Sequence, residues 1–289
     1  VPEGFVPLKL IVSGLKGGHS GLDINLGRGN AGKLLFRFIK LVVREYDARL
    51  AEVNAGDLRN AIPREGYAII VVPSENVENL KEAAIDFEKT VKSELSFADP
   101  DLKFVVEDSE MPLAVFDEAS QDNVVDAINV CPNGVIRMSD EMHGMVETST
   151  NLAIVRAEGG LVKIQCLIRS SVESAKKELV ERFESLFSLS GAVIVIDGSY
   201  PGWKPNTDSP ILKEMQGVYN KMYGKIPEVR GIHAGLECGL LGAVYPDWDM
   251  ISFGPTIRFP HSPDEKVNIP SVKKFWDFLL ETIKNVPIK

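Results

Sequence analysis

The chain has 289 residues, 44% of them hydrophobic and 25% charged, with 41 acidic against 32 basic side chains and a net charge of −9. This is the composition of an ordinary globular protein, long enough for one large domain or two ordinary ones. It argues against nucleic acid as a partner, since phosphate binding needs a basic face, and against a membrane, since no apolar run approaches the roughly 20 residues that span a bilayer.

The chain opens at Val1 rather than Met, within a strand approach, so a segment ahead of it is expected. Phe5–Leu15 alternates apolar and polar residues and reads as a strand, running into a glycine-rich turn over Gly14–Gly21. Asn30–Tyr46 carries Leu34, Leu35, Phe38, Ile39 and Val42 at helical spacing. Tyr67–Val72 reads as a strand, Val77–Leu95 as a helix with a charged outer face, and Lys103–Glu107 as another strand. The pattern then recurs: a helix over Asp122–Val130, a hairpin of Gly144–Ala157 and Leu161–Ser170 around Glu158-Gly159-Gly160, a helix over Val172–Phe187 and a closing strand over Ala192–Ile196. Antiparallel strands with helices returning between them predict an α+β layer, one sheet with helices on one face.

The character changes after Asp197-Gly198, where Tyr200-Pro201-Gly202-Trp203-Lys204-Pro205 is an extended connector. Beyond it come a helix over Ser209–Tyr223, a glycine-rich stretch over Gly231–Gly242, a short strand over Met250–Phe253 and a terminal helix over Ser271–Asn285. A domain boundary is expected near residue 198, dividing the chain into 1–198 and 199–289. The second part is small and is expected to need a partner layer.

Three cysteines, Cys131, Cys166 and Cys238, are widely spaced with no CxxC pair. They announce neither a disulfide framework nor a thiolate zinc site and fit a reducing, cytoplasmic setting. Of the four histidines, His19 sits in Gly17-Gly18-His19-Ser20-Gly21, a strand-to-helix turn where an imidazole can reach a ligand; a plain surface histidine is the simpler reading. The nucleophile-elbow pattern G-x-S-x-G fails there, because Leu22 stands in place of the second glycine. His261, in Pro260-His261-Ser262-Pro263-Asp264-Glu265, suits a zinc ligand with acidic support, but one histidine is not a metal site. His233 and Glu237 are four apart and would share a face on a helix, and His143 lies in a polar loop. Asn60 is placed to bond a substrate or to make a turn; Arg169, at a strand end, suits a carboxylate clamp or an ordinary ion pair.

Several longer motifs occur together: Gly-Leu-Lys-Gly-Gly-His-Ser-Gly at 14–21, Leu-Arg-Asn-Ala-Ile-Pro-Arg-Glu at 58–65, Pro-Asn-Gly-Val-Ile-Arg at 132–137, Val-Glu-Thr-Ser at 146–149, Cys-Leu-Ile-Arg-Ser at 166–170, Tyr-Pro-Gly-Trp at 200–203, Ile-His-Ala-Gly-Leu-Glu-Cys-Gly at 232–239 and Phe-Gly-Pro-Thr…Pro-His-Ser-Pro-Asp-Glu at 253–265. In this order they resemble the aminoacyl-histidine (Xaa-His, cytosol non-specific) dipeptidases, di-zinc metallopeptidases, over their C-terminal part. The resemblance implies an α+β lid over 1–198 and the C-terminal part of an α/β catalytic domain over 199–289. It implies two zinc ions, of whose ligands only His261 is matched here; the general-base Glu lies ahead of the lid, so the chain is expected to be inactive alone. His19 would stabilise the oxyanion; Asn60, Arg169, Gly235 and Glu237 would hold a dipeptide substrate; and the lid would form a homodimer. A lid acting only as a self-association module, or a metal-free peptide-binding protein, are the alternatives.

Overall fold

The computed structural model describes residues 1–204, 206–233, 236–258 and 265–285. They divide into two units, Val1–Ser199 with Ile232–Ala234, and Tyr200–Gly231 with Gly235–Lys289.

The first unit is built on an antiparallel sheet. Strand β1 (Phe5–Ser13) lies between β5 (Gly66–Pro73) and β6 (Lys103–Asp108). Beyond β5 come β3 (Arg49–Ala55) and then β8 (Val146–Glu158). From Thr148 to Glu158, β8 is paired on one edge with β9 (Leu161–Ser170), and its other edge is shared, β7 (Gly134–Met138) taking the first half and β3 the second. The β8–β9 turn is the expected hairpin, with Gly159 (φ 59°) and Gly160 (φ 78°) supplying the left-handed conformations that a tight hairpin requires. A two-residue ladder, β2 (Gly18–His19) with β4 (Ala61–Ile62), is separate from this sheet.

Four helices cover one face, side by side in the order α2 (Val77–Glu94), α1 (Ala31–Tyr46), α3 (Glu118–Val130) and α4 (Glu173–Leu189). Helix α1 starts where the sequence places it: the Asn30 side chain caps it by accepting from Lys33 N at 3.2 Å. Its apolar stripe, Leu35, Phe38, Ile39 and Val42, is fully buried against Leu8, Leu10, Leu50 and Ile70 of the sheet. Phe38, Phe87 and Phe104 form a triangle of tilted and edge-on rings with centroids 4.8–5.1 Å apart, joining α1, α2 and β6; such pairs add roughly 0.5–1.5 kcal/mol each beyond area burial.

Two expected strands do not form. Over Ala192–Ile196 only Ile194 packs on the core, and Val193 and Val195 are exposed. There the chain instead terminates α4, with Gly191 at φ 74° and Ala192 N donating to Phe187 O. Met250–Phe253 makes no ladder; the Phe253 ring packs on Phe275 and Phe278. Strands β3 and β7, by contrast, occupy stretches that carry no clear alternation.

The second unit pairs α5 (Pro210–Tyr223), capped by the Ser209 hydroxyl, with α7 (Ile269–Asn285). Met215, Val218 and Phe278 are its buried cluster, and Lys274 Nζ lies 4.7 Å from the ring centroids of both Tyr219 and Tyr223. Helix α6 (Glu237–Val244) and the short ladder of β10 (Ile257–Arg258) with β11 (Lys266–Val267) complete it. Among the described residues no helix is long and apolar enough to cross a membrane.

Candidate functional site

The turn carrying His19 is tied down at both ends. Asp99, buried in the α2–β6 loop, accepts from Lys16 N at 2.7 Å and from Gly29 N at 2.6 Å, so a carboxylate satisfied by backbone amides anchors the loop between β1 and α1. Within it, Arg28 donates to Gly17 O and pairs with Asp23 at 3.4 Å. Gly18 (φ 136°) leaves the room for this: a Cβ there would stand 2.2 Å from Arg28 Nη1. His19 N donates to Asp23 Oδ2 at 2.8 Å, and His19 pairs with Ala61 in the β2–β4 ladder.

This geometry sets the protonation of the His19 ring. Its Nδ1 accepts from both Gly21 N and Leu22 N at 3.1 Å. A nitrogen that accepts carries no proton, so in the neutral ring the proton is on Nε2, which is the donor. The half-buried imidazole is therefore held as a hydrogen-bond donor.

Asn60 sits in the exposed turn before β4, and its carbonyl accepts from Ser20 N at 2.8 Å, so it borders the His19 turn. The neighbouring Ala61 carbonyl accepts from the buried Asn151 side chain of β8 at 2.7 Å, which fixes the turn to the sheet. Arg169 stands opposite Ser149 in the β8–β9 register. The meeting point is Gly21: a Cβ on it would be 2.3 Å from His233 O, 3.1 Å from His19 Cε1 and 3.3 Å from Arg169 Nε. His19 and Arg169, 150 positions apart in sequence, thus converge around a glycine whose missing side chain leaves them space.

His233 also belongs to this cluster, and not through the spacing to Glu237 that drew attention to it. It is not helical; α6 begins only at Glu237, so the two do not share a helix face. Its ring is buried, with Nε2 2.7 Å from the Ser149 hydroxyl, itself fully buried. Burial first, and the Arg169 charge second, push its pKa down to about 4, against a hydrogen bond to the Val146 backbone that favours the charged form. The ring is therefore neutral at pH 7; with its one proton directed to the Val146 carbonyl, Nε2 accepts from Ser149. The signal in the sequence was the joint occurrence of Val-Glu-Thr-Ser at 146–149 and Ile-His at 232–233 among the motifs.

Of the remaining expected residues, Glu237 is the exposed first residue of α6, in the second unit. His143 is exposed in the turn before β8. Gly235 and His261 lie outside the described residues. Among the described residues no group of three His, Cys, Asp or Glu side chains could hold a metal ion, so they do not by themselves fit a di-zinc centre.

The first unit is thus an antiparallel sheet with a helical layer on one face, with His19 and Arg169 brought together at Gly21. Residues 11–98, within it, match the family model of the peptidase dimerisation domain. The chain is moreover 44% identical over all 289 residues to a cytosol non-specific dipeptidase from Escherichia coli (strain K12), covering 60% of that protein. Over its whole length it superposes with a TM-score of 0.93, at 45% identity, on 59% of the crystal structure of an aminoacylhistidine dipeptidase from Vibrio alginolyticus. The resemblance read from the motifs is borne out along the entire chain, which spans about 60% of the length of these relatives.

Proposed function

We propose that this chain is the lid and part of the catalytic domain of a metal-dependent dipeptidase that hydrolyses Xaa-His and related dipeptides. The observation that carries the reading is the fixed Nε2–H of His19, set beside Arg169 at Gly21. A neutral imidazole donor suits the oxygen that becomes negative when water adds to a peptide carbonyl, since its hydrogen bond strengthens as charge develops. Arg169 supplies a planar cation for the C-terminal carboxylate, with Asn60, Gly235 and Glu237 holding the remainder of the dipeptide. Residues 1–198 are the lid and 199–289 the catalytic part, and His261 is assigned as a zinc ligand. Because the described residues assemble no metal cluster, the chain is assigned no turnover of its own. Its free cysteines and its likeness to a cytosol dipeptidase support a cytoplasmic location.

Self-association through the lid is a second reading that an observation favours. Strand β9 pairs only with β8 among the described residues, so its outer edge offers unpaired backbone groups to a second copy. The match to a dimerisation domain points the same way.

The test is hydrolysis of an aminoacyl-histidine dipeptide with zinc, by this chain and by a longer version extended to the full length of the relatives. The longer version is expected to turn over and this chain is not. Turnover by this chain alone would overturn the assignment of a partial metal site. In the longer version, Arg169→Ala should raise KM for the dipeptide with a smaller change in kcat, and an unchanged KM removes the clamp.

A further inference from the structure

Two thiols that the sequence separates by 35 residues face each other inside the first unit. Cys131 is the residue that ends α3, Cys166 lies in the middle of β9, and their sulfurs are 3.8 Å apart. Buried cysteines ordinarily act as small apolar side chains, but these two share their site with a cation. Lys33, from the first turn of α1, donates to Ile128 O at 2.7 Å, Asn129 O at 2.8 Å and Cys131 O at 2.9 Å, so its ammonium is held at the end of α3. Burial pushes the Lys33 pKa down, and the two thiols oppose that shift. The thiol hydrogen bond and the Lys33 charge draw the Cys131 pKa below its usual value against the cost of burial, while the same bond and burial push Cys166 well up. When one of the pair ionises, the Lys33 charge and the thiol contact favour Cys131 as the attacking thiolate, with Cys166 as the resolving thiol. Both backbones are fixed, Cys131 by its N–H on Ala127 O at 2.8 Å and Cys166 by its ladder position opposite Leu152. Disulfide formation would close the sulfurs from 3.8 Å to the bonded distance of about 2.05 Å.

We propose that Cys131 and Cys166 are a disulfide-forming pair, an oxidisable site that hydrogen peroxide closes and a dithiol reopens. Peroxide is small enough for a pair of which Cys131 is buried and Cys166 partly exposed. The Cys131 thiolate attacks one peroxide oxygen; the O–O bond breaks, hydroxide leaves and takes up a proton, and Cys131 becomes a sulfenic acid. The Cys166 sulfur then attacks the Cys131 sulfur; the S–O bond breaks and the hydroxyl departs as water with the Cys166 proton. Two thiols are oxidised to one disulfide and one peroxide is reduced to two waters. The new bond ties the end of α3 to β9, the strand that carries Arg169 three positions further on.

The test uses the whole chain in its native state, treated with hydrogen peroxide and mapped by mass spectrometry alongside a free-thiol titration. The thiol count is expected to fall from the three free cysteines to Cys238 alone, with one cross-linked peptide joining Cys131 to Cys166, and to return on treatment with dithiothreitol. In Cys166→Ala the cross-link should vanish and a sulfenic acid at Cys131 should be trapped by dimedone. Cys238→Ser should leave the cross-link intact. A thiol count unchanged at full titre, a sulfinic acid at Cys131 without a cross-link, or Cys238 bonds between chains as the sole product would each overturn the proposal. The map of the unsubstituted chain decides it even where a variant fails to fold.

Discussion

In the first unit four helices close on a sheet so completely that Leu35, Phe36, Phe38, Ile39 and Leu50 have no exposed surface. In the second, Met215, Val218 and Phe278 are the buried cluster, while α7 leaves Ile269 80%, Trp276 55% and Ile283 60% exposed. The sequence of α7 explains the contrast. One stripe, Phe275, Phe278 and Thr282, turns toward its own unit, and a second, Ile269, Val272, Trp276, Leu280 and Ile283, recurs at helical spacing on exposed surface. A helix apolar on two sides is written for cover on two sides. Local periodicity specifies a helix in either unit; only in the first do the described residues also supply the layer it packs on.

The closed core of the first unit is most sensitive at the aromatic triangle. Phe38→Ala removes a fully buried ring that touches Phe87 and Phe104 and should cost the first unit about 4 kcal/mol, read as a fall in its urea midpoint. A loss below about 1 kcal/mol would mean this core is less tightly packed than described. The pH dependence is next in size. Folding lowers the His233 pKa from 6.5 to about 4, so the unfolded chain takes the proton first. Stability fully present above pH 6.5 should therefore fall as pH drops toward 4, by on the order of 3 kcal/mol for this one group. His233→Gln should flatten that segment of the stability profile; an unchanged slope would place the histidine elsewhere. Gly21→Ala sets a methyl against His233 O and should destabilise by about 2 kcal/mol, with the His233 ring losing its low pKa by NMR titration. The smallest effect has the opposite sign. Gly217 lies inside α5 with nothing within 4 Å of a Cβ, so Gly217→Ala should stabilise the second unit by about 1 kcal/mol, visible as a raised Tm.

Much of the fold was legible because its elements declare themselves locally. The alternation of β1, the stripe and Asn30 cap of α1, and the Gly159-Gly160 hairpin each need only neighbours in sequence. Strand β3 is not announced by the sequence, because Arg49-Leu50-Ala51-Glu52 gives a broken alternation. A bulge between Leu50 and Glu52 lets the strand pair nevertheless. The apolar run Ala192–Ile196 misled in the other direction, since periodicity reports what a segment could pair with and not whether an edge is available. At the candidate site, His19 and Arg169 emerged only through motifs, because their meeting at Gly21 is a long-range contact. The same holds for His233 with Ser149 and for Cys131 with Cys166, whose spacing in sequence had argued against any pairing.

The bond between Ser149 and His233 spans 84 residues, and that separation has a consequence during synthesis. At ribosomal rates of about 5–20 residues per second, the sheet strands through Ser170 and helix α4 emerge seconds before His233 does. The nascent first unit can lay down its hydrophobic core at once, but Ser149 must wait with water as its partner. Docking of the late segment then displaces that water and buries the Ser149 hydroxyl against His233, opposite Arg169 in the ladder. A nascent chain stalled before residue 232 should accordingly show a protected sheet in pulsed hydrogen exchange and an unprotected Val146–Ser149 end of β8, an order of assembly written into the chain by connectivity alone.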